Sequence, residues 1–419
     1  MLSALRQVCG DRHVREVPAQ SEGQYTVAGH TPRYVAAPAN TQEVAAVLSA
    51  LPPGYAIATR GHGTRSLTGP AADRLDLLLD TGRLTGIVEH AAGDLVLTVE
   101  AGTPLADLAQ PLAAHGQRLA LDPPVSPHGS GTVGGLIATN AAGPLRLRYG
   151  TPRDLLIGAT FVRADGQVAH SGGKVVKNVA GYDLCKLLTG SHGTIAVLTR
   201  AVLRLHPMPA ARAWVSCQLA TVAQARQQVL ALLRSPLAPA ALELDQAAPG
   251  TPATLAVLFE GEPGAVGARS AAAADLLHAT VSEQAPPWWA THPYRVEGIG
   301  LKVTFPVTHL ATVLTLVQDA ATRNQLEPAL RGSVGSGVLA LGLGADCEVA
   351  ALGSFLTDLR AGYAQHQVDG AVTVAHAPPA VWAGVDGWGP VPAIELMRRV
   401  KDQFDPHRRL NPGRFVGGI

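Results

Sequence analysis

The chain has 419 residues, of which 47% are hydrophobic and 16% charged, and its formal net charge is +1. That balance describes a folded globular protein of about two domains and excludes an intrinsically disordered chain. It leaves no basic field for nucleic acid and no acidic tail. Cys9, Cys185, Cys217 and Cys347 are scattered and form no CxxC pair. They offer neither a zinc site nor an iron–sulfur cluster and read as reduced thiols of a cytoplasmic protein. The first 18 residues lack a sustained apolar core, so a cleaved signal is not expected. No charge-free apolar run is long enough to span a bilayer, so any membrane contact would go through a partner.

In chain order, Asn40 with Glu43 forms a capping-box-like start, followed by Val44, Val47, Leu48 and Leu51 at helical spacing. Pro52, Pro53 and Gly54 end that helix. Tyr55 to Thr59 reads as a strand running into Arg60-Gly-His-Gly-Thr64. Leu75 to Leu79 and Leu95 to Glu100 are further strands. Thr103 and Pro104 start a helix carried by Leu105, Leu108 and Leu112, with Pro111 against it. Asp165-Gly166 reads as a hairpin turn between 158–163 and 167–170. Ile195, Val197, Leu203 and Leu205 occupy alternate positions, so 194–206 reads as a long strand.

Composition shifts at His206-Pro-Met-Pro, which places a boundary after residue 207. Beyond it, strand-like runs (214–219, 240–244, 255–260, 301–305, 337–343, 371–375) alternate with Ala- and Leu-rich helical runs. This predicts an α+β domain with a mainly antiparallel sheet covered by helices. No short-period repeat is visible.

Gly129-Ser-Gly131-Thr-Val-Gly134 fits GxGxxG in form. The preceding 121–128 carries three prolines and cannot be a central parallel strand, which argues against a Rossmann unit. A backbone cradle reads better. Successive N–H groups in turns hold phosphate, and glycine lets the phosphate approach the chain. Residues 60–69 form one such loop and 131–135, running into Thr139 and Asn140, a second.

The order RGxGT, DPP, GTVGG, ATNAAGPLRLRYGTPRD, GGKVVKNVAGYDLCKLLTGSHGT resembles the FAD domain of the vanillyl-alcohol oxidase and p-cresol methylhydroxylase (PCMH) superfamily. GPLRLRYGTPRD with KNVAGYDLCKLLTGS is similar to the FAD-binding E-type subunit of bacterial glycolate oxidase. The likeness covers about 34–207, weakens over 208–390 and returns at Phe404-Asp-Pro and Asn411-Pro-Gly-Arg414. It implies an N-terminal segment 1–33, a two-subdomain PCMH-type FAD-binding domain 34–207, an α+β cap domain 208–390, and a tail 391–419 returning to the FAD domain.

By this resemblance, Arg60, Gly61, His62, Gly63, Thr64 and Arg65 would meet the pyrophosphate of FAD through backbone N–H groups. Gly131, Thr132, Gly134 and Gly135 would contact pyrophosphate and ribityl. Thr139, Asn140 and Gly143 would run along ribityl and flavin. Gly193, Thr194 and Ile195 would sit near the ribose and adenine. Lys177, Asn178 and Tyr182 would shape a loop beside the cofactor, and Arg414 would approach the flavin. Relatives with covalent FAD use a histidine four residues after the loop arginine. Thr64 stands there, so noncovalent FAD is expected, and His62 reads as a loop residue. His192 and Ala196 depart from the GSEGTLG pattern of relatives. The histidine–glutamate metal cluster of hydroxy-acid dehydrogenase relatives has no counterpart here; His366 and His376 are the nearest pair, and no metal is expected.

The resemblance implies FAD-dependent oxidation of a 2-hydroxy acid. Such chemistry needs a base for the hydroxyl proton and a cation for the carboxylate. Lys302, Arg331, His376 and Arg414 are candidates, and spacing does not select among them. The leading expectation is a FAD-binding subunit of a glycolate oxidase complex, with a sister FAD-containing catalytic subunit and an iron–sulfur subunit as partners. The alternatives are a self-sufficient D-lactate-like dehydrogenase and a non-catalytic assembly subunit.

Overall fold

The computed structural model describes residues 1–18, 23–124, 129–174 and 181–419. Three large sheets organise them, beside a two-stranded pairing of Gln117–Arg118 with His206–Pro207. The first has four strands in the order Val14–Glu16, Tyr34–Ala36, Leu77–Asp80, Ile57–Arg60. Its three inner pairings include two parallel ones, joined through helix Thr41–Ala50. Asn40 caps that helix by accepting from the Glu43 N–H, while the Glu43 carboxylate accepts from Ala39 N–H. Val44, Val47 and Leu48 face inward and are fully buried against Leu77, Leu79 and Ile57.

The second sheet has five antiparallel strands in the order Ile87–Ala91, Val96–Glu100, Val197–Arg204, Leu156–Val162, Val168–Gly172. The Asp165-Gly166 turn links the last two, with Gly166 at φ +84°. Helix Ala106–Ala113 forms despite the internal Pro111. The long strand is shorter than 194–206, because Thr194 to Ala196 belong to the turn entering it. Helix Val133–Thr139 packs Val133 and Ile137 into the core of this sheet.

The third sheet has eight antiparallel strands and spans 211–376. Its two halves repeat one topology. Residues 211–282 run strand, helix, two strands, helix, strand, and residues 299–376 repeat that order. Each half arranges its strands as fourth, first, third, second, and the halves join edge to edge through Ala241–Gln246 and Ala329–Ser333. The repeat unit is too long to show as a short-period repeat. Four helices cover one face, burying Leu242, Leu244, Leu301, Val303, Leu330, Leu339 and Leu341. The two-residue period of the strands turns the intervening Glu243, Asp245, Arg331, Ser333 and Lys302 to the opposite face, towards the first two sheets.

The tail closes the molecule. Helix Ile394–Phe404 brings Lys401 into a fully buried position, where its ammonium donates to Thr194 O at 2.6 Å, Asp405 Oδ2 at 2.7 Å and Leu410 O at 3.0 Å. Leu410 then bridges in parallel to Ile57. Arg409 donates to the carbonyls of Ala164 and Leu48. The tail thereby ties the first and second sheets together. Among the described residues, no helix is long and apolar enough to cross a membrane.

Candidate functional site

A trough runs between the first two sheets and out under the third. It consists of three adjoining cavities of about 90, 110 and 400 Å³ that share lining residues. Gly61, Thr132, His192 and Asn411 border the smallest and the middle cavity. Thr64, Arg65, Ser130 and Thr139 border the middle and the largest.

The middle cavity is walled by two loops. The first leaves the strand Ile57–Arg60 and carries Gly61 to Arg65. Among the described residues, none of the backbone N–H groups from Gly61 to Arg65 donates to a protein acceptor. Unpaired backbone donors facing a cavity call for an anionic or carbonyl ligand. The second loop is Gly131 to Gly135, with Gly131 at φ +74° and the Thr132 hydroxyl accepting from Gly135 N–H. The two loops touch. A Cβ at Gly61 would lie 2.5 Å from Thr132 Oγ1, so a side chain there would fill the cradle. The donor set and the close approach fit the pyrophosphate of FAD.

Arg60 itself is held back, donating to Gln24 O at 2.7 Å and facing Asp80 at 3.6 Å. His62 is an exposed loop residue on the rim. Gly134 and Gly193 line the smallest cavity, whereas Thr194 and Ile195 are buried behind it. Asn140 and Gly143 line the largest cavity, and Arg414 the middle one. Arg414 donates to Ser66 O at 2.7 Å and Thr68 O at 3.0 Å, so it braces the first loop; burial lowers its pKa to about 10. Lys177 and Asn178 lie outside the described residues, and Tyr182 is 94% exposed, away from the cavities.

His192 makes an aromatic contact. Its ring stacks on Phe415, with centroids 5.0 Å apart, and Asn411 Nδ2 donates to the His192 carbonyl at 3.1 Å. Burial, reinforced by the positive charges of Arg414, Lys302 and Arg65, lowers its pKa to about 4, so the ring is neutral near pH 7.

The largest cavity lies between the loops of the FAD-binding region and the face of the eight-stranded sheet opposite its four long helices. Lys302 and His376 enter it from neighbouring strands, and Arg146 from the segment after Gly143. His292 and Tyr294 come from the irregular connection between the two halves of that sheet; Tyr294 stacks on His292 at 4.6 Å and on His376 at 5.2 Å. His376 Nε2 lies 2.7 Å from Val296 O. A carbonyl only accepts, so Nε2 carries the proton and Nδ1 keeps its lone pair. Burial lowers the pKa of His376 and of His292, the latter to about 4. Arg331 is committed elsewhere, donating to Asp245 Oδ1 at 2.7 Å and to His292 O. Glu243 is 4% exposed; burial, together with the charge of Asp122, raises its pKa to about 8, and its Oε1 has no partner among the described residues. Asp122 is raised to about 7 by burial although it accepts from Leu145 N–H. Of this cavity's groups, Lys302, Arg331 and His376 were readable as candidates, whereas Arg146, Glu243, His292 and Tyr294 were not. The described residues contain no group of three metal-ligating side chains, and His366 is exposed outside the trough.

A PCMH-type FAD-binding fold defines the class. Residues 32–172 match the family described as FAD binding domain, and residues 388–415 match the C-terminal domain of FAD linked oxidases. The chain is an FAD-dependent oxidoreductase, and these two segments are similar to those of FAD-linked oxidases. It is 28% identical over 411 residues to a D-lactate dehydrogenase of Archaeoglobus fulgidus, covering 91% of each chain. It is 34% identical over 224 residues to glycolate oxidase subunit GlcD of Bacillus subtilis, covering 52% of this chain and 47% of that one. It is 40% identical over 133 residues to glycolate oxidase subunit GlcE of Escherichia coli, covering 32% and 38% respectively. The crystal structure of p-cresol methylhydroxylase with substrate bound superposes with a TM-score of 0.77 at 14% identity, covering 99% of this chain and 95% of that one.

Proposed function

We propose that this chain oxidises a small 2-hydroxy acid to the 2-oxo acid in its own largest cavity, with noncovalent FAD, and passes the electrons to a partner protein. The observation that carries the reading is the cavity itself. Cationic Lys302 and Arg146 line it beside a histidine whose free Nδ1 can accept a proton. These are the groups that a carboxylate and an adjacent hydroxyl require.

The residues of the two loops, Arg60 to Arg65 and Gly131 to Gly135, would hold the pyrophosphate; Thr139, Asn140 and Gly143 the ribityl and flavin; Gly193 the ribose end, with Thr194 and Ile195 supporting it from behind. Bound FAD supplies the acceptor for the substrate's C2 hydride. His376 takes the hydroxyl proton on Nδ1, and its bond to Val296 O fixes the ring in that tautomer. Tyr294, stacked against it, restricts the ring's rotation. Thr64 rather than histidine in the first loop supports noncovalent attachment. The likeness to glycolate oxidase subunits GlcD and GlcE supports electron exit through a partner protein.

A second reading, the FAD-binding subunit of a glycolate oxidase whose sister subunit does the chemistry, is favoured by the 40% identity to GlcE over 133 residues. Anaerobic addition of glycolate or D-lactate to the purified FAD-loaded chain separates the two. Bleaching of the flavin without partners supports catalysis here. A flavin that stays oxidised until the sister subunit is added supports the accessory reading.

A further inference from the structure

The tail reaches both walls of the trough through Asn411. Its N–H donates to Ile57 O at 2.8 Å, and Ile57 N–H donates to Arg409 O at 2.7 Å. Residues 409–411 therefore lie along the strand Ile57–Arg60, which leads into the first loop. On the other wall, Asn411 Nδ2 donates to the carbonyls of His192 and Gly193, each at 3.1 Å. Carbonyls only accept, so the amide nitrogen must face them and Oδ1 must face away. Asn411 is 4% exposed, yet its Oδ1 has no partner among the described residues.

Thr59, on the neighbouring strand, shows the same deficit. Its Oγ1 is buried and has no partner among the described residues. Thr59 and Asn411 both border the middle cavity and the smallest one. A buried polar oxygen left unpaired is destabilising, and a pair of them at one junction calls for a ligand. With its amide donors spent, Asn411 can only accept, whereas the threonine hydroxyl donates or accepts. An ionised phosphate offers no donor and so does not suit Asn411 Oδ1. Neighbouring hydroxyl groups suit both residues.

The place of the junction selects which hydroxyls. On the reading above, the middle cavity holds the pyrophosphate of FAD and the smallest, bordered by Gly193, its ribose end. We propose that Thr59 and Asn411 bind the ribose hydroxyls of the adenosine half of FAD, with Asn411 Oδ1 as acceptor. This rests on the placement of FAD given above. It makes the tail a part of the cofactor site as well as a clasp between the sheets.

The apoprotein is titrated with FAD and with FAD analogues built on 2′-deoxyadenosine and 3′-deoxyadenosine. Quenching of flavin fluorescence reads affinity, and thermal unfolding is recorded for apo and loaded forms; neither needs turnover. Thr59→Val removes the hydroxyl, nearly keeps the shape and suits a strand. Because that hydroxyl has no protein partner, the Thr59→Val apoprotein is expected to melt at or above the parent's temperature. Its FAD affinity is expected to fall about tenfold. At least one deoxy analogue should bind the parent about tenfold more weakly than FAD, and that penalty should shrink in Thr59→Val or in Asn411→Ala. Asn411→Ala also loosens the tail, so its result is read from the ratio of FAD to analogue and not from affinity alone. A Thr59→Val apoprotein that melts lower than the parent while FAD affinity is unchanged would overturn the proposal. So would deoxy analogues that bind the parent as tightly as FAD, and in that case FAD binding itself still stands. An apoprotein that takes up neither FAD nor the analogues would sink the placement of FAD and this proposal with it.

Discussion

Glu260→Gln should loosen the joint between the cap sheet and the FAD-binding region. Glu260 sits at the end of strand Ala253–Gly261 with its side chain 1% exposed. Its carboxylate accepts from Arg118 Nη1 at 2.9 Å, Arg212 Nε at 3.0 Å and Tyr149 Oη at 3.0 Å. Arg118 and Tyr149 belong to the FAD side, and Arg118 is only 12% exposed. The substitution keeps the volume, so no cavity term enters. It leaves the Arg118 guanidinium buried without its counter-charge, which costs about 3–5 kcal/mol. Arg212 is 43% exposed, and its loss adds about 0–1 kcal/mol after screening. Because glutamine still accepts one hydrogen bond, the lower end, about 3 kcal/mol, is expected. Urea unfolding followed by tryptophan fluorescence should show a midpoint lower by about 1–2 M. Burial alone would raise the Glu260 pKa, but the Arg118 hydrogen bond and charge outweigh it and the net shift is downward. The stabilisation is therefore present above the ordinary carboxylate pKa and disappears as pH falls through the depressed folded value. The variant and the parent should converge in acid. A variant within about 0.5 kcal/mol of the parent at neutral pH, or a gap that persists in acid, would refute the reasoning.

Three further outcomes are expected. Gly61→Val places carbon against Thr132, where a Cβ alone would lie 2.5 Å from Oγ1; FAD affinity should fall at least about tenfold with the circular dichroism unchanged, and full flavin stoichiometry after dialysis would contradict the cradle. Lys401→Met leaves the Asp405 carboxylate buried without its cation and should cost about 3–5 kcal/mol in thermal unfolding; adding Asp405→Asn should recover part of it. Glu243 has a folded pKa raised to about 8, chiefly by burial, so the native state holds a proton that the unfolded chain loses near pH 4–5. Stability should then fall between those values as pH rises, on the order of 1 kcal/mol per pH unit, and Glu243→Gln should flatten that slope in denaturation measured across the range.

The local parts of this fold were legible. Asn40 and Glu43 announce their helix, Asp165-Gly166 its hairpin, and the strand Ile57–Arg60 delivers the glycine loop as its sequence suggests. Each depends on residues near in the chain. The largest cavity was not legible, because sheet register assembles it. Arg331 meets Asp245 only because their strands pair across 86 positions. Tyr294 lies in an irregular stretch without periodicity, and it reaches His376 only because the strand Ala371–His376 is the outer neighbour of Ile299–Thr304. Lys302 did carry a signal: a lysine between Leu301 and Val303, whose neighbours face a core, points to the other side of a sheet. Lys401 carried none, since a buried lysine in a charged helix looks like a solvated one until the tail is docked.

Anaerobic reduction of the purified, FAD-loaded chain by a 2-hydroxy acid tests the central claim most directly. The account predicts that the flavin absorbance bleaches in the absence of any partner, that His376→Asn slows the bleaching while FAD stays bound, and that acid precipitation releases the flavin into solution. A flavin that no 2-hydroxy acid reduces without a second subunit would contradict it.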